Sequence, residues 1–390
     1  MTDWPVKTLG DLMTVQNGYA FDSQYFSPSG KIGLIRIRDL KGGVGTETHF
    51  VGPYDDEYVV TAGDYLIGMD GEFRCYEWKG DPALLNQRVC RLRDFGKSID
   101  ARFLFYGINK FLKEIEDVTG YTTVKHLSSK SILAIEMPVP PLGEQKRIVA
   151  LLDAATERVT ELTACYEQAR THANNLFTSA LRDALESNPD WPVKTLGEVC
   201  DFVRGVTYDK ADARSEMKSG FIPLLRATNI TEKGLLRDDF VFVPKNGVRA
   251  DQKLISGDAL ITIASGSASV VGRSVLVEDP GEMTFGAFCG VLRPRPEILP
   301  RYLSHFMSSR SVRATWSEAA QGTNINNLKR DDILQTECLL PPLEEQKRIV
   351  ARLDSMKAKT SEMVAAYDAK LSAAKNLRQS ILEAAFAGDL

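Results

Sequence analysis

The sequence predicts an α+β protein (mixed α/β): two pseudo-repeated globular domains separated by two long helices that pair as an antiparallel coiled coil. Three observations predict this. The segment DWPVKTLG at Asp3–Gly10 recurs unchanged at Asp190–Gly197. A second matched pair, PPLGEQKRIVALLD from Pro140 and PPLEEQKRIVARLD from Pro341, closes each copy. Each closing motif then opens a proline-free stretch with an apolar residue every three or four positions, the spacing of a coiled-coil seam. Internal repetition of this kind fixes the architecture before any single element is read.

The copies divide the 390 residues into a first globular domain over 1–142, a helix over 143–187, a second globular domain over 188–342 and a final helix over 343–390. The offset between copies grows from 187 residues at Trp4/Trp191 to 190 at Arg36/Arg226, 194 at Asp64/Asp258 and 201 from Pro140/Pro341 onward. Insertions therefore accumulate inside the globular domains, while their entries and the helices that follow stay nearly letter-identical. Fixed frames around divergent interiors suit two readers on one scaffold.

In the first domain, Gly33–Leu40, Gly63–Met69 and Gln87–Arg93 read as strands between Gly, Pro and Asp turns, and Ala101–Val118 as a helix with one apolar face. In the second, FIPLLRATNI, GDALITIA, RSVLVE and GVLRPR read as strands ahead of a helix near Tyr302–Ala319. Each domain ends in a polar, glycine-bearing segment, VTGYTTVKHLS from Val118 and AQGTNINNLKR from Ala319.

The first helix carries its seam at Ile148, Leu152, Ala155, Val159, Leu162, Tyr166, Ala169, Ala173, Leu176 and Ala180. The second repeats it at Ile349, Leu353, Met356, Thr360, Met363, Tyr367, Ala374, Leu377 and Ile381. Forty-four or so residues make a rod of about 65 Å, and one apolar stripe needs a partner. The first rod begins at the first domain and ends at the second, where the other rod begins, so a pair of them runs antiparallel.

Composition narrows the function. With 43% hydrophobic and 26% charged residues, both domains can bury ordinary cores. No apolar run is long enough to cross a membrane, and Asp3 and Trp4 stand where a signal peptide needs basic and then apolar residues, so a cytoplasmic protein without a membrane partner is expected. Six scattered cysteines without a CxxC pair and four dispersed histidines predict reduced core thiols and no metal site. The net charge of −4 shows no globally basic half, so any DNA contact must be local or shared with a partner.

Short polar and basic side chains on glycine-bearing loops suit base reading in a groove, Asn or Gln pairing with adenine and Arg or Lys with guanine. The DNA-binding candidates in the first domain are Arg74, Asn86, Gln87, Arg88, Thr122, Thr123 and Lys125. In the second they are Arg226, Asn229, Arg273, Thr323, Asn324, Asn326, Asn327 and Lys329.

These features together resemble the specificity (S) subunit of type I restriction-modification systems over the whole chain. The resemblance rests on WPVKTLG, the IRIRDL and LLRATNI segments, the two GD-x-L-I turns, QGTNINNL, the two PPL-x-EQKRIV helix openings and the ending ILEAAFAGDL, in order. It implies two target-recognition domains, each reading one half of a bipartite double-stranded DNA site, with the coiled coil as a ruler for the spacer. It also implies two methyltransferase (M) subunits that bind S-adenosylmethionine and methylate adenine, and two restriction (R) subunits that use ATP and Mg, with no cofactor on this chain itself. The first terminal segment, VTGYTTVKHL, lacks the Gln and Asn of its counterpart.

Two other classes stay open on the sequence. Asp64, Asp70, Glu77 and Lys79 give a D-x12-E-x-K string like that of a metal-dependent nuclease, although the second copy keeps only the turn aspartate, Asp258, with no E-x-K after it. A coiled-coil adaptor that binds only protein would explain the helices but not the divergent domains. A catalytic role of the chain is disfavoured: Asn188-Pro189-Asp190-Trp191 lacks the second proline of an adenine-methylating loop, and no Walker lysine motif occurs.

Overall fold

In a computed structural model of the chain, residues 4–118, 125–186, 188–209, 211–232, 234–320 and 325–389 are described. The chain forms two compact units, one of Met1–Cys165 with Lys370–Leu390 and the other of Tyr166–Ala369. Each unit contains one globular module together with a length of both long helices, Leu142–Leu185 and Leu343–Ala387.

In the first unit a four-stranded antiparallel sheet runs in the order Thr14–Asn17, Val89–Arg93, Tyr65–Gly68, Cys75–Glu77. A five-stranded sheet holds Phe26–Ser27, His49–Phe50, Ile32–Ile35, Ala83–Leu85 and Val59–Val60. The entry strand Val6–Thr8 pairs with Glu136–Pro138, which closes the module just ahead of the long helix. The predicted helix over Ala101–Val118 is present and buries Phe103, Leu104, Ile108 and Leu112 in the core of the first sheet.

The second unit repeats this plan. Its four-stranded sheet is Cys200–Arg204, Cys289–Pro294, Ala259–Thr262, Ser274–Leu276, and its entry strand Val193–Thr195 pairs with Glu337–Leu339. The helix expected near Tyr302–Ala319 is two helices, Pro300–Ser308 and Arg310–Ala319. Ser309 interrupts them in extended backbone, its amide donating to the Phe306 carbonyl at 3.0 Å. A serine-rich run, Ser308-Ser309-Arg310-Ser311, favours such local hydrogen bonds over helix continuation.

Two strand expectations were too long, for one reason. Strand Ile32–Ile35 ends in a single helical turn, Ile37–Leu40, because the Asp39 carboxylate accepts the Arg36 amide at 2.8 Å. Strand Phe221–Leu225 ends in a turn at Ala227–Asn229, where the Asn229 side chain accepts the Arg226 amide at 2.8 Å. The same R-x-x-D/N spacing caps the same turn in both modules.

The glutamine repeated in both EQKR motifs ties each long helix to its module. Gln145 is fully buried; its Oε1 accepts the Asp100 amide at 2.7 Å and its Nε2 donates to the Ser98 and Pro140 carbonyls at 2.9 and 2.7 Å. Gln346 does the same with the Leu299 amide and the Glu297 and Pro341 carbonyls, at 2.8, 2.9 and 2.9 Å. Replacement of Gln346 by leucine strands three backbone groups and should cost about 3 kcal/mol, because each buried unpaired group costs roughly 1–3 kcal/mol. Urea unfolding of the Q346L chain checks this, and an unchanged midpoint would contradict it.

Two turns further, an aspartate on each long helix grips the helix of the module. Asp153 accepts from Arg102 Nε at 2.7 Å and from the Tyr106 hydroxyl at 2.5 Å. Asp354 meets Arg301 Nε at 3.3 Å and His305 Nε2 at 2.8 Å. Burial holds the His305 imidazole below its usual range against the opposing pull of Asp354.

The two long helices run antiparallel within each unit. In the first unit Leu152, Ala155 and Thr156 face Arg378, Ile381 and Leu382 across one small gap. In the second, Tyr166 lies against Tyr367 with ring centroids 6.4 Å apart, Arg170 pairs with Asp368 at 3.0 Å, and Ala180, Leu181, Ala184 and Leu185 share a core with Ile349 and Leu353. Among the seam candidates, Ile148, Leu152, Val159, Ile349 and Leu353 are buried, while Leu162, Met356 and Ile381 are half-buried. Leu176, Met363 and Leu377 are not seam residues: they are 51, 40 and 50% exposed. Straight helices drift relative to a strict heptad; beside Leu176, Phe177 packs toward His305 of the module, and Ala173, Thr360 and Ala374 are buried.

The end of the second helix completes the first module. Phe386 packs on Phe103 with centroids 4.9 Å apart, and a Cβ on Gly107 would come within 2.6 Å of the Phe386 ring, so only glycine admits it. Ala385 is fully buried in the same core.

Candidate nucleic-acid interface

Both modules carry the same pinned loop at the end of the central strands. In the first, the Val89 amide donates to the Asn86 carbonyl at 2.8 Å, closing a tight turn over Asn86, Gln87 and Arg88. The Met69 amide donates to the Arg88 carbonyl at 3.0 Å, and the Leu127 amide to the Met69 carbonyl at 2.8 Å. In the second, Cys289 donates to Gly286 at 2.8 Å, Ile263 to Phe288 at 2.9 Å and Leu328 to Ile263 at 2.8 Å. The neighbouring strand end comes so close that a Cβ on Gly18 or Gly205 would lie 2.1 Å from the Asn86 or Gly286 carbonyl oxygen. Glycine is required at both places.

On this shared backbone the side chains differ. Asp70 bridges to His126 in the first module, its carboxylate meeting Arg88 Nη1 at 2.6 Å and His126 Nδ1 at 2.8 Å. The Gly71 amide donates to the Lys125 carbonyl at 3.2 Å, and Lys125 Nζ donates to the Glu116 carbonyl at 2.6 Å. In the second module Ala264–Ser265 pairs with Asn326–Asn327 at the matching place, and the Asn326 amide nitrogen lies 3.3 Å from the Gly266 carbonyl. The structure therefore gathers Asn86, Gln87, Arg88 and Lys125 at one loop system and Asn326 and Asn327 at its counterpart.

The remaining candidates are dispersed. Arg74 follows the Asp70 turn, lies 3.9 Å from Glu72 and stands over the Tyr76 ring. Arg273 occupies the corresponding place before strand Ser274–Leu276 and pairs with Glu232 at 3.4 Å. Lys329 sits at the start of helix Arg330–Leu334, its amide bonded to Asp332, with an exposed side chain. Arg226 pairs with Asp239 at 2.5 Å. Asn229 is not a base reader: it is buried, and its amide nitrogen is spent on the Leu236 and Asp238 carbonyls while its oxygen caps the Arg226 turn. Thr122, Thr123, Thr323 and Asn324 lie outside the described residues.

Sequence reasoning did not place His126 or Phe288 at these loops and named Asp70 only within the nuclease string. The signal was available in the repeat, since aligning Val89 with Cys289 sets Arg88 against Phe288.

The nuclease string is not assembled. Asp64 Oδ2 accepts the Thr61 amide at 2.7 Å and pairs with Arg91 at 3.1 Å, as Asp258 pairs with Arg293, and Glu77 faces Arg102 at 3.5 Å. Among the described residues no group of three His, Cys, Asp or Glu side chains could hold a metal ion. No helix among them is long and apolar enough to cross a membrane.

Two copies of one mixed module, keeping a frame and varying the side chains on it, define a sequence-recognition protein. The family model described as the type I restriction modification DNA specificity domain matches residues 1–169 and 188–371. The chain belongs to that family, and it is a specificity subunit with a role in DNA sequence recognition. It is 27% identical over 417 residues to the type I restriction enzyme EcoBI specificity subunit of Escherichia coli, covering 99% of this chain and 86% of that one. The EcoKI specificity subunit of Escherichia coli strain K12 is 39% identical over 200 residues, 51% of this chain and 43% of the relative. Two solved structures share the fold at 22% identity. A chain from a study of complex assembly and conformational transition of a type I restriction-modification system has a TM-score of 0.76, with 99% of this chain and 98% of that one covered. The HsdS subunit from Thermoanaerobacter tengcongensis has a TM-score of 0.59, with 100 and 98% covered.

Proposed function

We propose that each module reads one half of a bipartite double-stranded DNA site, that the paired helices set the spacer, and that the chain itself performs no chemistry. The observation that carries this reading is the duplicated loop frame of Met69–Arg88–Leu127 and Ile263–Phe288–Leu328, which shares its linking backbone hydrogen bonds and differs in side chains. One backbone frame presenting unlike groups is what reading two different half-sites requires. In this proposal two methyltransferase subunits bind S-adenosylmethionine and methylate adenine at the chosen site, and two restriction subunits bring ATP- and Mg-dependent cleavage. Their charge complements a chain of net charge −4. The complex works in the cytoplasm, where the DNA is.

The test is single-molecule sequencing of adenine methylation in cells carrying this chain with its methyltransferase, with and without the gene. A bipartite motif that vanishes on deletion is expected. Methylation that is unchanged on deletion would overturn the reading.

A further inference from the structure

We infer that Phe288 is a specificity-determining residue of the second module, contacting the C5-methyl group of a thymine in the major groove from the loop position that Arg88 holds in the first module. This rests on the proposed reading of a bipartite site and adds the chemistry of one base contact to it.

The equivalence is structural. Arg88 and Phe288 each precede the buried first residue of the central strand, and each gives its carbonyl to the strand across the turn, Arg88 to Met69 at 3.0 Å and Phe288 to Ile263 at 2.9 Å and Ala264 at 3.2 Å. The turn beneath Phe288 is fixed from both sides, by Cys289 donating to Gly286 at 2.8 Å and Ala287 donating to Val206 at 2.9 Å. On this hydrogen-bonded turn Phe288 is 62% exposed, stands outside every core cluster and has no aromatic neighbour among the described residues.

A single exposed apolar side chain is ordinary on a protein surface. This one stands on a turn, where phenylalanine brings none of the backbone advantages of Gly, Asn, Asp, Ser or Pro. Its carbonyl accepts the Ala264 amide at 3.2 Å, and Ala264–Ser265 pair in turn with the polar Asn326–Asn327 at that edge. An apolar ring among hydrogen-bonding side chains has one natural target on a base edge, the thymine methyl group. Arg88, steadied by Asp70 at 2.6 Å, offers a guanidinium at the same place in the first module. The two modules then put opposite chemistries at one position of their half-sites.

The test uses the complete methyltransferase complex and starts from the motif the wild-type chain directs. Phe288→Ala should relax one thymine–adenine pair of the half-site read by the second module and leave the other half-site untouched, whereas Phe288→Leu should keep the preference. A duplex carrying uracil in place of that thymine should bind the wild-type complex about fourfold more weakly, the value of one buried methyl group, and the F288A complex equally well with either base. A wild-type complex with no bipartite motif would refute the parent reading instead. An intact motif in F288A, or a folded complex in which both variants lose methylation at every sequence, would overturn the role given to Phe288.

Discussion

Removing one heptad from each long helix, residues 163–169 of the first and 364–370 of the second, shortens the spacer of the methylated motif by about 3 base pairs and leaves both half-sites unchanged. The deleted segments face each other around Tyr166 and Tyr367, so pairing is restored on either side. Seven residues shorten a helix by about 10 Å, close to three steps of duplex at 3.4 Å, and return its face to within about 20°. The reading edges lie far along the chain from the deletion, and nothing in the loops over Asn86–Arg88 or Gly286–Phe288 is altered. Motif sequencing of the double deletion provides the check: an altered half-site would defeat the ruler idea. Deletion from one helix alone should abolish methylation, since the facing residues no longer match.

Asp258→Ala should destabilise the second unit by about 3–5 kcal/mol, the usual cost of breaking a buried ion pair from one side. Asp258 is wholly buried; its carboxylate takes Arg293 Nε at 2.8 Å, Arg293 Nη2 at 2.9 Å and the Ile255 amide at 2.9 Å. Losing it leaves the Ile255 amide without its acceptor and the Arg293 guanidinium with the Lys253 carbonyl alone, 3.1 Å from Nη2, beside the Gly257 turn. The counterpart Asp64→Ala should cost less. There the arginine is the buried partner, and Arg91 keeps Gln16 Oε1 at 2.6 Å and the Val59 and Glu57 carbonyls at 2.8 Å each. Scanning calorimetry on the two variants separates them, with a midpoint drop of roughly 10 °C for D258A. Equal losses would show that the extra acceptors of Arg91 contribute nothing.

The elements that repetition marks were legible from the letters alone. PPL-x-EQKRIV announced two helices because proline ends the preceding strand and the buried glutamine needs the same three partners twice. The GD turns were legible as turns, and Gly63 and Gly257 sit at φ +95 and +94, where glycine is favoured. Heptad counting put Leu176, Met363 and Leu377 on the seam, yet they stand largely exposed, because a strict seven-residue count drifts around the face of a straight helix. Asn229 looked like a base reader because a capping amide and a reading amide are the same side chain in a sequence. Burial alone tells them apart. Phe288 was passed over for the opposite reason: an apolar side chain just ahead of a strand is not the polar or basic type sought for base reading.

The contact of Phe386 with Phe103 and Gly107 has a consequence in time. Synthesis runs from the N-terminus, yet the core of the first module includes Ala385, with Ile381 and Phe386 packed against it. That module therefore leaves the ribosome with an apolar face uncovered and keeps it so while the second module is made and folds. The first module to be made is the last to be finished, and its closing step joins Phe103 to Phe386, 283 residues apart, the kind of distant contact that slows folding and exposes intermediates to aggregation.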